Sequence, residues 1–431
     1  MKTPAGAPPP GFAGYRCSTC GSEYAPGGSA DAPRDVLYLC PRDGGCLDVV
    51  LDHARILRRV SRRTLVWGEP SQWRFLPLLP VRDPGARATP LRRVGNTPVY
   101  RLKTLERKLG CEQLWLKDEG ANPTGSLKDR ASALVVARAR EIGAEVVVTA
   151  STGNAGAALA GMAAAVRQPA VVFAPRSAPP AKIAQMLVFG ARVVLVDGSY
   201  DQAVELSREA ARELGWHCRN TGYNPFTAEG KKTAALEIWS SLETGEIRTR
   251  HSRRLSLFVS VGDGNIIAGL HKGFRDLEAL GWLEAPPRLF GVQAEGSAAV
   301  ARAFQAGEET IEAVQARTLA DSISVDLPAD GLRALRAATL TGGAYLTVTD
   351  QQILAAMAAL GGAGIFAEPA AAAGYAGLVE ALSKGIVHPR DPLLVLSTGS
   401  GLKDVAAALR SVPEAPVIEP SLPALRRLIA A

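Results

Sequence analysis

From residue 95 onward the chain alternates short runs of consecutive apolar residues with longer segments of helical spacing. Gly95-Asn-Thr-Pro98 makes a turn, Val99 to Leu102 a short strand and Gln113 to Lys117 (QLWLK) a second one. Glu145 to Ala150 (EVVVTA) reads as a buried strand, followed by an alanine-rich helix over Ala155 to Val166. Ala170 to Ala174 and Arg192 to Val196 repeat the strand signal, with helices at Ala181 to Phe189 and Asp201 to Leu214. Leu255 to Val261 (LSLFVSV), Leu289 to Gln293 and Pro392 to Ser397 (PLLVLS) are three more continuous apolar runs. Strands that are apolar throughout are buried on both faces, and their alternation with helices is the pattern of parallel sheets covered on both sides. The expected fold class is α/β, with doubly wound parallel sheets. In such sheets ligands bind beyond the carboxyl ends of the strands, so the loops that follow the strands are where chemistry is to be sought.

The chain before residue 95 has a different texture. Residues 1 to 35 are rich in Pro, Gly, Ala and Ser with little periodicity, which predicts a loosely tethered beginning. Cys17 and Cys20 form one knuckle, and Cys40 and Cys46 flank a second. Two such knuckles suggest a small zinc ribbon in which four thiolates hold a structural ion. The second spacing is irregular, because Asp43 stands where a ribbon cysteine would fall, so a ribbon held by hairpin packing alone is the other reading. Residues 51 to 94 read as a connecting arm without an assignable motif. The expected organisation is an extension over 1–50, the arm over 51–94, a core over 95–412 with a smaller unit at about 130–225 inserted in the larger, and a tail over 413–431.

Composition narrows the class of function. The 431 residues exceed one ordinary core, so two compact units and an extension are expected. Hydrophobic residues at 47% and charged residues at 21% are those of a soluble globular protein. A net charge of +7, spread rather than blocked, gives no sign of a nucleic-acid partner. No apolar run reaches the roughly 18 residues a membrane span needs, so no membrane partner is expected. Six cysteines in so long a chain, without a recognisable signal peptide, point to a reducing cytoplasm.

The chemistry centres on Asn122-Pro-Thr-Gly-Ser-Leu-Lys-Asp-Arg130, where turn formers, a candidate N-cap at Ser126 and the helical run Ala131 to Arg140 place Lys128 in a first helical turn. The positive end of the helix dipole disfavours an ammonium there, and imine chemistry requires a neutral amine. The plain alternative is a surface lysine paired with Asp129 or Glu119. Three loops after strands carry the remaining candidates. Ser151-Thr-Gly-Asn-Ala-Gly156 opens a helix and offers amides and hydroxyls to a carboxylate. Gly262-Asp-Gly-Asn265 has the composition of a phosphate cup, with the Asp263 carboxylate expected to point away from the anion. Thr398-Gly-Ser-Gly401 is read as opening a third helix. An imine-forming lysine, a carboxylate cradle, a phosphate cup and a hydroxyl at a strand end together suit a phosphorylated aldehyde acting on amino acids, and pyridoxal phosphate is such a molecule.

These stretches, with Phe366-Ala-Glu-Pro-Ala370 and Ser397-Thr-Gly-Ser-Gly-Leu-Lys-Asp404, closely resemble the threonine synthase family, in order and across most of residues 95 to 405. The resemblance implies the tryptophan synthase β-like fold (fold type II), with two doubly wound parallel-sheet domains and a small cysteine-containing extension, and a homodimer. It implies that Lys128 forms the Schiff base with pyridoxal 5'-phosphate and then moves protons on the substrate. It gives Asn154 the phenolic oxygen of the cofactor, Gly262, Asp263, Gly264 and Asn265 its phosphate, and Thr398 its pyridine nitrogen. Ser151, Thr152 and Gly153 take the carboxylate of an amino-acid substrate. The implied reaction converts O-phosphohomoserine and water to threonine and phosphate.

One stretch departs from the pattern. Where the family carries Thr-Ala-Ile-Arg-Ile-Gly-Asn-Pro, this chain has Asp321-Ser-Ile-Ser-Val-Asp-Leu-Pro328, so Ser324 replaces a cation. Ser400 likewise stands in place of histidine. Lys182, Lys231 and Lys232 are candidates to supply the missing charge, although each reads more naturally as a surface residue. Elimination or β-replacement on another amino acid, such as ammonia release from threonine or serine or a cysteate-synthase type of addition, is the alternative activity, and a non-catalytic cofactor-binding homologue is a third reading.

Overall fold

A computed structural model describes residue 9 and residues 11–27, 36–178, 180–250 and 253–430 of the chain. The N-terminal strands β1 (Phe12–Cys17), β2 (Glu23–Tyr24) and β3 (Leu47–Leu51) form an antiparallel sheet in the order β2-β1-β3. The expected loose beginning is therefore corrected for Phe12–Cys17, while residues 1–8, 10 and 28–35 lie outside the described residues. Pro- and Gly-rich flanks hid a strand whose Phe12, Tyr15 and Cys17 all face inward. Phe12 meets Tyr15 edge-on at 5.1 Å and Phe226 at 6.1 Å, which seats the ribbon on the helix Phe226–Glu243. The arm is no mere connector either. Ser71 caps a 3-10 helix over Gln72–Leu78, whose Trp73, Phe75 and Leu78 are buried in the main core, and Trp73 Nε1 donates to Leu91 O at 2.9 Å.

Beyond the arm come β4 (Val99–Arg101) and β5 (Leu114–Asp118), then β6 (Val147–Ala150), β7 (Ala170–Pro175), β8 (Arg192–Val196) and β9 (His217–Cys218). The last four are β10 (Ser256–Ser260), β11 (Arg288–Ala294), β12 (Ala344–Val348) and β13 (Leu393–Ser397). They build a six-stranded sheet, β12-β11-β10-β13-β5-β4, and a four-stranded sheet, β8-β7-β6-β9. Every pairing is parallel except that of β4 with β5. The continuous apolar runs thus became parallel strands, as their burial on both faces requires. Two strands of these sheets lay outside the sequence reading: β9 has two residues, and β12 is an edge strand whose apolar run is broken by the half-buried Thr347. Among the described residues no helix is long and apolar enough to cross a membrane.

The helix Phe226–Glu243 is buried along nearly its whole length, including Glu229, Lys231, Lys232 and Glu237. The surface reading of Lys231 and Lys232 is therefore corrected, since both are 0% exposed. Gly230 lets this helix lie directly on the helix Lys128–Glu141, because a Cβ there would fall 2.3 Å from Arg130 O. The two helices are joined by charge as well as by packing. Arg130 donates to Glu119 through Nε at 2.7 Å and to Glu237 through Nη1 and Nη2 at 2.8 Å each. Lys117 Nζ adds a contact to Glu237 at 2.8 Å, and Glu237 also accepts from the Asn96 amide at 2.7 Å. Two cations and two carboxylates thus neutralise one another out of water. Burial alone would depress the Arg130 guanidinium, and Glu119 and Glu237 instead carry it above its ordinary range. Removing one partner of such a set typically costs about 3–5 kcal/mol, because an uncompensated charge is left behind.

Candidate functional site

Lys128 is placed by the end of β5. Asp118 accepts from the Gly120 amide at 3.0 Å, and a 3-10 turn over Glu119–Ala121 leads to Asn122, whose Oδ1 accepts from the Gly95 amide at 3.0 Å. Gly125, at φ +84°, closes the turn with its amide on Asn122 O at 2.8 Å. The helix then begins at Lys128 itself, which places the lysine in the first turn as expected. Ser126 does not cap it, because its hydroxyl is buried without a partner and Leu127 occupies the cap position. The segment is instead held by the loop after β13: Ser126 bridges Gly399, and the Leu127 amide donates to Thr398 O at 2.9 Å.

Both residues that would make Lys128 an ordinary paired lysine are committed elsewhere. Glu119 holds Arg130. The Asp129 carboxylate accepts from the Thr124 amide at 2.6 Å and from the Thr124 hydroxyl, and burial pushes its pKa up to about 7. Burial lowers the Lys128 pKa and Arg219 adds to the effect, against the opposing pull of Asp263 and Glu368. A larger share of neutral amine follows, as imine chemistry needs.

The three loops after β6, β10 and β13 meet Lys128 from the other sides. Ser151 is buried and its Oγ accepts from the Gly153 amide at 3.1 Å, shaping the turn from which Asn154 opens the helix Asn154–Ala164. Gly264, at φ +86°, precedes the helix Asn265–Ala279, and a Cβ on it would lie 2.7 Å from Asp330 O. A Cβ on Gly262 would lie 2.8 Å from Ile323 Cα, so the cup admits only glycine at both points. The Asp263 carboxylate takes the Ala329 amide, and burial raises its pKa while Lys128 and Lys231 draw it back. Thr398 directly follows β13, but the turn it begins runs into a 3-10 helix, Gly401–Lys403, capped by Ser400, rather than directly into an α-helix. The helix Val405–Arg410 comes only after it.

One cleft of about 490 Å³, its open mouth included, is lined by Lys128, Asn154, Gly262, Asp263, Gly264, Asn265 and Thr398. Ser151, Thr152 and Gly153 stand just ahead of Asn154 and do not line its wall. Glu368, from the Phe366 to Ala370 stretch, was given no role by sequence reasoning yet also lines the cleft. It accepts from Asn154 Nδ2 at 2.7 Å, and burial pushes its carboxyl up to about 7. An acid directly before a proline that starts a buried helix was the available signal. Ser322 and Ile323, beside the divergent Ser324, line the cleft too, while Asp321 forms an ion pair with Lys182.

The cysteine cluster differs from its expected composition. Ligand atoms of Cys17, Cys20, Cys40 and Asp43 all lie within 4.8 Å of one another. Cys46 is not among them: its thiol donates to Gly222 O at 3.0 Å and Ala329 O at 3.3 Å. The irregular spacing carries Cys46 to the start of β3 and leaves Asp43 in the knuckle, so Cys46 is corrected as a metal-ligand candidate.

Comparison with known proteins gives concordant results. Residues 91–399 match the model of the family described as pyridoxal-phosphate dependent enzyme. The threonine synthase of Methanocaldococcus jannaschii is 36% identical, the alignment covering 96% of this chain and 98% of that protein. The threonine synthase of Methanosarcina acetivorans is 34% identical with the same 96% and 98% coverage. Among solved structures, the processed form of threonine deaminase isoform 2 from Solanum lycopersicum aligns with a TM-score of 0.64 at 20% identity, covering 79% of this chain and 92% of that one. Diaminopropionate ammonia lyase from Escherichia coli aligns with a TM-score of 0.62 at 19% identity, covering 73% and 87%. These two are likenesses of fold.

Glu368 makes the site's stability depend on pH. Its carboxyl is raised from 4.5 to about 7 in the folded chain, so its contribution is fully present below the unfolded value and is lost as pH rises through the folded one. Denaturant unfolding of the cofactor-free chain from pH 5 to pH 8 should show wild type losing stability relative to Glu368→Gln, by on the order of 3 kcal/mol. A stability difference between the two that stays flat with pH would contradict the assignment.

Proposed function

Because this chain belongs to the pyridoxal-phosphate dependent enzymes and, within them, to the threonine synthase family, we propose that its cleft converts O-phosphohomoserine and water to threonine and phosphate. The observation that carries the reading is Lys128, a lysine with both neighbouring carboxylates turned to other partners, opening into the same cleft as the glycine cup and Thr398. That donor set fits pyridoxal phosphate. Two cup glycines leave backbone where a side chain would collide, the first amides of the helix Asn265–Ala279 lack intrahelical acceptors, and an amine-bearing side chain stands opposite. When bound, the cofactor supplies an aldehyde for amine attachment and an electron sink for charge developing on the attached substrate.

The chain's own residues do the rest. Lys128 anchors the cofactor, and its Nζ, once free, takes and returns protons at Cα and Cβ of the substrate. Gly262, Asp263, Gly264 and Asn265 hold the cofactor phosphate, and Asn154, steadied by Glu368, meets the phenolic oxygen. Thr398 offers a neutral hydroxyl to the pyridine nitrogen. Such a partner does not keep that nitrogen protonated, which moderates the electron sink and favours elimination and replacement over transamination. Ser151, Thr152 and Gly153 take the substrate carboxylate at the start of the helix Asn154–Ala164. Of the three lysines considered for the substrate phosphate, Lys182 is the one suited, since it lies beside Gly153 and its Asp321 partner sits next to the cleft-lining Ser322.

Threonine or serine deamination is less well supported. The threonine synthases match over nearly the whole chain at 34–36% identity, whereas the threonine deaminase likeness rests on fold at 20%. The enzyme is further proposed to be a homodimer, as its family resemblance implies, and cytoplasmic, as its cysteine usage suggests. The proposed structural zinc is held by Cys17, Cys20, Cys40 and Asp43, a thiolate-rich set within 4.8 Å that suits this ion.

Two measurements test these assignments. Purified protein supplied with pyridoxal phosphate should acquire the visible absorption band of a lysine-bound cofactor, and Lys128→Ala should abolish it. Absence of the band in wild type refutes the cofactor site. Elemental analysis should find about one zinc per chain, retained in Cys46→Ser and lost in Cys20→Ser; a metal-free wild type, or loss in Cys46→Ser alone, contradicts the ligand set.

A further inference from the structure

The buried helix Phe226–Glu243 carries two adjacent lysines whose surroundings are opposite in kind. Lys232 Nζ contacts Glu229 and, at 2.9 Å, Asp276. Lys231 Nζ contacts the side-chain oxygen of Asn265, and among the described residues no carboxylate forms an ion pair with it. A buried ammonium facing a neutral oxygen is costly unless further negative charge arrives.

Arg219 presents the same anomaly nearby. It is fully buried, its Nε donates to Ser132 Oγ at 3.2 Å and its Nη1 to Thr221 Oγ1 at 2.8 Å, and its Nη2 is buried without a partner. Lys231 and Arg219 repel each other and Lys128 electrostatically, and Asp263 is the carboxylate that attracts all three. Asp330, the other carboxylate that attracts Lys231, is tied to Arg333 and to Asn265. Three basic side chains therefore share one carboxylate that forms an ion pair with none of them, a local surplus of basic groups. The surplus borders the cleft, because Asn265 and Thr221, the residues that Lys231 and Arg219 contact, both line it.

A concentration of buried basic groups behind a glycine cup, which a bound anion would hold in their charged forms, has the electrostatics of a site for a multiply charged anion. We propose that Lys231, backed by Arg219, supplies the charge that binds the cofactor's phosphate, offsetting the like charge that Asp263 brings into the cup. The inference rests on the cofactor assignment above and adds to it a side-chain cation outside the glycine loop. It also accounts for burial of a lysine that its helix could otherwise fill with an apolar residue. Burial and then Lys128 and Arg219 drive the Lys231 pKa well down, and a phosphate dianion would return it to the charged form.

The test titrates the cofactor-free chain with pyridoxal phosphate and, separately, with pyridoxal, which lacks the phosphate, following the visible absorbance. Lys231→Met should weaken binding of pyridoxal phosphate at least about tenfold, the scale of one charge-assisted hydrogen bond, while leaving pyridoxal unchanged. Asp263→Asn should tighten pyridoxal phosphate severalfold, again without effect on pyridoxal, and in the double variant should recover part of the loss. Unchanged affinity in Lys231→Met, or an equal loss for both ligands, overturns the proposal. Should Lys231→Met fail to fold, the Asp263→Asn arm decides, and failure of that variant to tighten pyridoxal phosphate overturns it. Wild type that binds neither ligand is a failure of the cofactor assignment itself and is read apart from these outcomes.

Discussion

The structure depends on a buried ion cluster that no solvent reaches. Lys117, Glu119, Arg130 and Glu237 join β5, the Lys128 helix and the helix Phe226–Glu243, and the Gly95 to Pro98 turn is drawn in through the Asn96 amide and the Thr97 hydroxyl. Arg130 lies two residues beyond Lys128. The reactive amine is thereby fixed to the protein interior through a neighbour whose charge is fully compensated. The same cluster occupies Glu119, which would otherwise be free to pair with Lys128. One constraint thus positions the lysine and keeps it unpaired.

Buried charge in this protein falls into two populations, and the contrast carries the functional reading. Arg130, Lys117, Lys232, Lys272 and Arg333 each contact carboxylates directly, as structural charges in a low-dielectric interior must. Lys128, Lys231 and Arg219 contact no carboxylate in this way among the described residues, and they gather where two sheets present the carboxyl ends of their strands. The cysteine ribbon reaches the same region from outside, since the Cys46 thiol donates to Ala329 O beside the Asp330 that holds Asn265. The N-terminal extension therefore buttresses the loop behind the glycine cup.

Much of this was legible in the sequence, for a physical reason. Parallel strands buried on both faces leave unbroken apolar runs, so Ala170 to Ala174 and Pro392 to Ser397 were each bounded within one residue of the strands found. The loops after the strands, and with them Lys128, Asn154, Gly262 and Thr398, followed directly. What the sequence concealed depends on tertiary contact. Lysines at 231 and 232 look solvated until the packing of a neighbouring helix buries them. Ser126 has the chemistry of a cap, but the Thr398 carbonyl holds the turn instead. Asp43 and Cys46 exchange their expected places because which side chains cluster depends on their direction, which spacing does not encode. Glu368 had no visible partner until Asn154 was brought beside it from 214 positions away.

An unpaired Lys128 amine, facing a glycine cup and the Thr398 hydroxyl, is proposed to serve a threonine-forming reaction. The most direct measurement is to incubate the cofactor-loaded enzyme with O-phosphohomoserine and quantify phosphate, threonine and ammonia together. Phosphate and threonine are expected in equal amounts with no ammonia. Phosphate released with ammonia in place of threonine, or no turnover by an enzyme that carries its full complement of cofactor, would contradict the proposal.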